Sequence, residues 1–350
     1  MHLGIDYLDQ ILEIFRRPLQ PPPKQPRPSP QAVSDDEYYH DVLTTPSRPG
    51  SRHETRLKAR IIQLTSSRSA TGKTNLLYHL SATSVLPGSH SGNEAAVVWF
   101  DTDGRFSALR LAQVASTLLP AGTGKEENDR IVKEALSHVH VFKPQSAAQL
   151  IETLKVLPDH LLSRTLHHSQ QRALGLIVLD SATAFYWADR ADAEIARLSD
   201  PGAPLPMSMS SSVIGQLREL EKSFSCTVLF STDATLQRKS HTKSDTNIRT
   251  VADSPLPPQH DQVFQDPWKF FATLTLDVHR VPVPQFTPAM TVEECARDQP
   301  RRIEAVKRGR HRAQVVWTGD ESNEVREGIR SLKNGEGFTF RITDIGVDLE

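Results

Sequence analysis

Between two apolar stretches lies Ser67-Arg-Ser-Ala-Thr-Gly-Lys-Thr74, the segment of this chain whose residues most plainly suit chemistry. Its last three residues match the phosphate-loop pattern, Gly, four residues, then Gly-Lys-Ser/Thr, while Ser67 stands where that pattern opens on glycine. In a strand–loop–helix setting, the backbone around Ser67, Ala70, Thr71 and Gly72 and the helix N-terminus would cradle phosphate oxygens. Lys73 would reach the β- and γ-phosphates, and the Thr74 hydroxyl would serve magnesium. Ser67 in a turn that needs positive φ is expected to cost about 1–2 kcal/mol if that geometry is kept. Gly-Lys-Thr alone also suits a plain helix start with a solvated lysine. The strand before it and the apolar helix after it favour a nucleotide.

Acids at strand ends supply the rest of such a site. GLIVLD ends on Asp180, where an acid can hold the magnesium shell, or cap a following helix. AAVVWFDTDGRF carries Asp101 and Asp103 at the end of another strand; a carboxylate there could orient or deprotonate an attacking water. Asp-Thr-Asp-Gly is equally good turn chemistry. CTVLFST runs into Asp233, whose position suits a group that senses the γ-phosphate.

The elements that must position these residues follow from the apolar pattern. ARIIQLT, AAVVWFD, HVHVF, GLIVLD and CTVLFST read as strands, and TNLLYHLSATSVL, RFSALRLAQVASTLL, AAQLIETLKVLPDHLLSRTL and SSVIGQLRELEKSF as the helices between them. Strands apolar throughout, alternating with helices, predict a largely parallel sheet covered on both faces. From Trp268 onward, WKFFATLTLDVHRV, RRIEAVKRGRHRAQVVWTG and GFTFRITDIGVDL alternate as antiparallel edge strands do. Leu8, Ile11, Leu12, Phe15 and Leu19 recur at helical spacing, predicting a short amphipathic helix that docks on its own domain or on a partner. Seven prolines between Pro18 and Pro30 predict an extended spacer that stays loose to about Arg52.

With 350 residues, 41 Lys+Arg and 42 Asp+Glu, the chain is long enough for a large core and is not uniformly basic, so any nucleic-acid contact must come from a local patch. Two cysteines, Cys226 and Cys295, cannot form a disulfide framework and suggest a reducing compartment. No run of roughly 18 apolar residues occurs, so no membrane span is expected. His138, His140, His167 and His168 lack matching ligand spacing, and no metal beyond nucleotide-bound magnesium is expected.

Gly72-Lys-Thr-x-Leu-Leu-Tyr-His-Leu80, Phe100-Asp-Thr-Asp103 with Phe106 and Leu109-Arg-Leu111, GLIVLD and VLFSTDATLQ together resemble the RecA-type recombinase core. Within it, they are most similar to the eukaryotic recombinase paralogues of the X-ray repair cross-complementing group-two type. The resemblance covers roughly residues 59–240. It implies an α/β RecA-like P-loop core, a mostly parallel sheet covered by helices with C-terminal antiparallel strands. The implied division is a helix in 1–17, a Pro-rich linker over 18–56, and the ATPase core over 57–350 with mobile loops near 200–212 and 236–266.

The same resemblance implies ATP and Mg2+ as ligands, held by the loop with Asp180 and Asp233, and Asp103 and Lys73 as the catalytic pair. It also implies homologous-recombination repair in the nucleus, in complexes with other paralogue subunits on single-stranded, gapped or branched DNA. Active recombinases carry Glu at the position of Asp103; one methylene less, at a barrier 2–3 kcal/mol higher, means a step slower by roughly 30- to 150-fold. Weak DNA-stimulated hydrolysis is therefore expected. Loops after the Asp180 and Asp233 strands face DNA in such folds, and the second holds Arg238, Lys239, Lys243 and Arg249, which can neutralise phosphates. Arg297 to Arg312 carries a second basic patch, whose Lys-Arg-Gly-Arg-His-Arg stretch, Lys307 to Arg312, is expected as a hairpin tip or nuclear-import signal. The alternatives are a small-molecule kinase and a scaffold that has lost nucleotide hydrolysis.

Overall fold

The computed structural model describes residues 2–16, 60–199, 208–234, 267–283, 286–317 and 321–350. The proline-rich segment 18–56 and the basic segment with Arg238, Lys239, Lys243 and Arg249 lie outside the described residues, as do 200–207. Strands β1 (Ile61–Ser66), β2 (Ala96–Asp101), β3 (Val139–Phe142), β4 (Leu174–Asp180), β5 (Thr227–Asp233), β6 (Leu274–Arg280), β7 (Arg310–Val316), β8 (Gly337–Ile342) and β9 (Val347–Leu349) form one sheet in the order β3-β2-β4-β5-β1-β6-β7-β8-β9. All pairs from β3 to β6 are parallel, and β7, β8 and β9 extend the sheet antiparallel. This is a RecA-like α/β arrangement.

The sheet explains why its central strands read as unbroken apolar runs. Ile62, Leu64, Leu176, Val178 and Leu229 face one layer of core, while Ile61, Ile177, Leu179, Val228 and Phe230 face the other. The second layer is closed by helices α5 (Ala147–Leu162) and α7 (Met209–Phe224) and by Trp268 and Phe271. On the first lie α2 (Lys73–Val85), α3 (Ala108–Leu118) and α4 (Lys125–Leu136). Helix α2 is buried continuously from Leu76 to Val85, because the N-terminal segment covers its outer side.

That segment forms α1 (Asp6–Arg16), and its apolar face turns onto the chain's own core, with Leu3, Ile5, Leu8, Ile11 and Leu12 buried. Asp9 fixes the turn ahead of the helix by accepting the Leu3 amide at 2.5 Å and the Gly4 amide at 3.1 Å. Tyr7 donates to the Gly335 carbonyl at 2.9 Å, and Ile14 meets Gly328 of α9 (Asn323–Arg330).

Five regions depart from the sequence expectation. Residues 208–212 belong to the start of α7 rather than a loop, because Ser208 accepts the Ser211 amide at 3.2 Å as an N-cap. Most of the basic patch is helix α8 (Val292–Arg308), started by a Thr291–Glu294 capping box and ended by left-handed Gly309, so the expected hairpin tip is the junction from that helix into β7. Dense charge and an internal Pro300 hide that helix from a periodicity reading. Strand β6 is parallel to β1, so only its β7 side is antiparallel. Helices α4 and α6 (Tyr186–Ser199) were not expected: α4 buries only Ile131, Val132 and Ala135, and α6 buries no described side chain. Among the described residues, no helix is long and apolar enough to cross a membrane.

Edge strand β3 gathers histidines that are scattered in sequence. The ring centroid of His140 lies 4.7 Å from that of His167 and 5.5 Å from that of His160. Ser169 Oγ is hydrogen-bonded to His138 Nδ1 at 3.0 Å and to His140 Nε2 at 2.9 Å. Both His167 nitrogens engage backbone, at the Ser169 amide and the His160 carbonyl. Among the described residues, no such group is arranged for a metal. Burial, followed by the neighbouring imidazoles, pushes the His140 pKa down to about 4. A His pKa lower in the folded than in the unfolded state means stability present above about 6.5 is lost as pH falls toward 4. His140→Phe should therefore flatten the fall in Tm between those pH values, as read by thermal melts across the range; an unchanged acid slope would count against it.

Candidate nucleotide site

The carboxyl ends of β1, β2, β4, β5 and β6 converge on the segment joining β1 to α2. Two residues carry its left-handed turns: Ala70 at φ 54° and Gly72 at φ 100°. Ser67 is not left-handed, so the strain expected there does not arise. Gly72 is required by its left-handed φ, and the site is close-packed besides. A Cβ at this position would lie 2.7 Å from Ile342 Cδ1 and 3.3 Å from Phe340 Cε2, since β8 closes over the loop.

Residues Ser67 to Ala70 are exposed, whereas Thr71 and Gly72 are buried. The Lys73 ammonium donates to Ser66 Oγ, which itself donates to the Arg68 carbonyl at 2.8 Å. Burial lowers the Lys73 pKa, opposed by the carboxylates of Asp233, Asp180, Asp277 and Asp103. An ammonium at the start of α2 beside these acids is placed to meet an anionic ligand that arrives with its own metal.

Thr74 Oγ1 donates to Asp180 Oδ2 at 2.8 Å, and Ser231 Oγ donates to Asp180 Oδ1. Asp180 is thus fixed between α2 and β5, and with α6 starting only at Tyr186 it does not cap that helix. Asp101 turns inward: its carboxylate accepts the Arg105 amide at 2.9 Å and the Phe106 amide at 3.1 Å, so its part is to hold the turn. Asp103 projects from the exposed side of that turn. Burial by its surroundings, then the charges of Asp180 and Asp101, raise its pKa, against Arg105 and Lys73. Asp233 ends β5 in register with Ser66 and is the strongest charged neighbour of Lys73.

The donor set fits a nucleotide with magnesium: the buried Thr71 hydroxyl lacks a partner among the described residues, and Thr74 and Asp180 already share one point. Sequence reasoning missed two residues. Asp277 sits on β6 in register with Thr65, and only the parallel pairing of β6 with β1 brings it here. Arg110 of α3 joins the loop's helix to the C-terminal hairpin. Its guanidinium donates to Asn75 Oδ1 at 3.0 and 3.2 Å, to the Thr343 carbonyl at 2.8 Å and to the Asp344 carbonyl at 2.5 Å. Arg110→Ala should cost on the order of 2–3 kcal/mol in urea unfolding, and Lys should not restore it because the fork is lost. Full rescue by Lys would refute that account.

A phosphate loop ending the central strand, an acid at the end of β4 bonded to the loop's Thr74, and an antiparallel extension beyond β6 define a RecA-like P-loop core. A model of the Rad51 family matches residues 57–244, more than half the chain. The chain belongs to that family. It is 36% identical over 120 residues to the DNA repair protein XRCC2 of Mus musculus, covering 34% of this chain and 39% of that protein. It is 27% identical over 113 residues to the DNA repair protein RAD51 homolog 2 of Homo sapiens, covering 32% of this chain and 27% of that protein. These matches therefore span less than two fifths of each relative's length.

Proposed function

We propose that this chain is an ATP-binding recombinase paralogue that acts in homologous-recombination repair, as a nuclear subunit of a complex with other paralogues. The observation that carries the nucleotide part is the 2.8 Å bond between Thr74 and Asp180 beside Lys73. Residues 67–74 and Asp180 would hold Mg-ATP, which supplies a transferable phosphoryl group with its charge partly neutralised. Lys73 would offset phosphate charge. Asp103 would orient water, and because its side chain is one methylene shorter than the family's glutamate, turnover should be slow. Asp233 beside Lys73 sets a negative charge where a γ-phosphate sensor would stand, so hydrolysis should suffer more than binding. Arg238, Lys239, Lys243 and Arg249 are proposed as phosphate contacts to single-stranded or branched DNA, on the strength of charge and chain position.

The test is binding of a fluorescent ATP analogue and of labelled single-stranded DNA to the full chain, with and without magnesium, at two salt concentrations. Expected are magnesium-dependent nucleotide binding that Lys73→Ala weakens at least about tenfold, and ATP-enhanced DNA binding that salt weakens. Equal nucleotide affinity in Lys73→Ala would leave a scaffold subunit. No DNA binding in any condition would assign DNA contact to the partner subunit.

A further inference from the structure

The turn that carries Asp103 is held at both ends, and the second hold comes from the loop's own helix. At its entry, the Thr102 amide donates to the Asp180 carbonyl at 3.0 Å, and Thr102 Oγ1 donates to the Ser181 carbonyl at 2.7 Å. At its exit, the Tyr78 hydroxyl accepts the Ser107 amide at 2.7 Å and donates to the Arg105 carbonyl at 3.4 Å. Tyr78 lies four residues after Thr74 on α2, so both side chains share one helix face. Thr74 meets Asp180 and Tyr78 meets the turn of Asp103, so one helix sets both acids. The Tyr78 ring is itself fixed, stacked on Trp99 at 5.0 Å and against Phe106 at 5.8 Å.

We propose that the Tyr78 hydroxyl is a positioning residue that registers Asp103 against the phosphate loop and Asp180. The proposal rests on the nucleotide reading above. A tyrosine serving the core alone needs its ring but not its hydroxyl, and a buried hydroxyl that both donates and accepts within one turn fixes that turn's place. Its register then sets how much of Asp103's charge confronts the terminal phosphate of ATP, which ADP lacks.

The experiment uses the full chain as wild type, Tyr78→Phe, Asp103→Ala and the double variant. Phe keeps the stacking on Trp99, so Tm and affinity for Mg-ADP should stay near wild type. Amide exchange should rise about tenfold across residues 102–107 and not along α2 or β2. Asp103→Ala should tighten Mg-ATP relative to Mg-ADP by about threefold to tenfold. Tyr78→Phe should shift that ratio the same way, and the double variant should go no further than Asp103→Ala alone. An unchanged ratio in Tyr78→Phe, or effects that add in full, would overturn the proposal. If the wild type binds neither nucleotide, the nucleotide reading falls, and exchange decides alone: a rise confined to 102–107 upholds the positioning role, and no rise or a diffuse one overturns it.

Discussion

Deletion of residues 2–16 leaves, as an expected result, a chain without a cooperative unfolding transition. Leu3, Ile5, Leu8, Ile11 and Leu12 are each no more than 4% exposed, and all lie in the core layer that contains α2. At about 2 kcal/mol for each buried side chain, their loss removes on the order of 10 kcal/mol. A compact unfolded state would reduce that figure, yet what remains rivals the whole stability of a typical domain, roughly 5–15 kcal/mol. The apolar flank of the phosphate-loop helix would also be bared to water. Differential scanning calorimetry and dye binding would read this directly; a sharp transition within a few degrees of the full chain would refute it. The sequence left α1 free to choose its own domain or a partner, and its buried face is turned to its own domain.

Gly72→Ala carries the second large effect. Alanine at φ 100° takes on strain of about 1–2 kcal/mol, and its methyl would stand 2.7 Å from Ile342 Cδ1. Ile342 Cδ1 is the free end of a side chain and can shift, so crowding adds less than the backbone strain, and the variant should melt earlier and lose nucleotide affinity by about tenfold. Adding Ile342→Ala should recover the crowding component while leaving the backbone strain. Titration with a fluorescent nucleotide and a thermal melt would check both. Wild-type affinity in the single variant would dismiss the packing of β8 over the loop as a determinant.

Much of the fold was legible because burial on both faces forces a simple pattern. Strands β1, β2, β4 and β5 are buried at nearly every position and carry apolar runs, so their alternation with helices points to a parallel sheet. Lys73, Thr74 and Asp180 were legible because each ends or follows such a strand. Asp277 was not, since β6 alternates like an edge strand and its neighbour β1 is 212 residues away in the Thr65–Asp277 pairing. Asp101 and Asp103 looked equivalent in sequence; only the inward hydrogen bonds of the first separate turn support from exposed carboxylate. Helix α8 was masked by charge, and its start could have been found from Thr291 followed three residues later by Glu294.

The hairpin of β8 and β9 changes how genetic variants of this protein should be weighed. The family match ends at residue 244, and on that map residues 337–350 would pass as dispensable. Yet Arg110 grips the carbonyls of Thr343 and Asp344, Gly346 backs onto Thr117, and Phe340 and Ile342 roof Gly72. A stop codon or frameshift that removes residues 337–350 is therefore a lesion of the phosphate loop in all but position. Glu350 pairs with Arg310 and Arg341, so an insertion beside it strains the loop's roof from a distance.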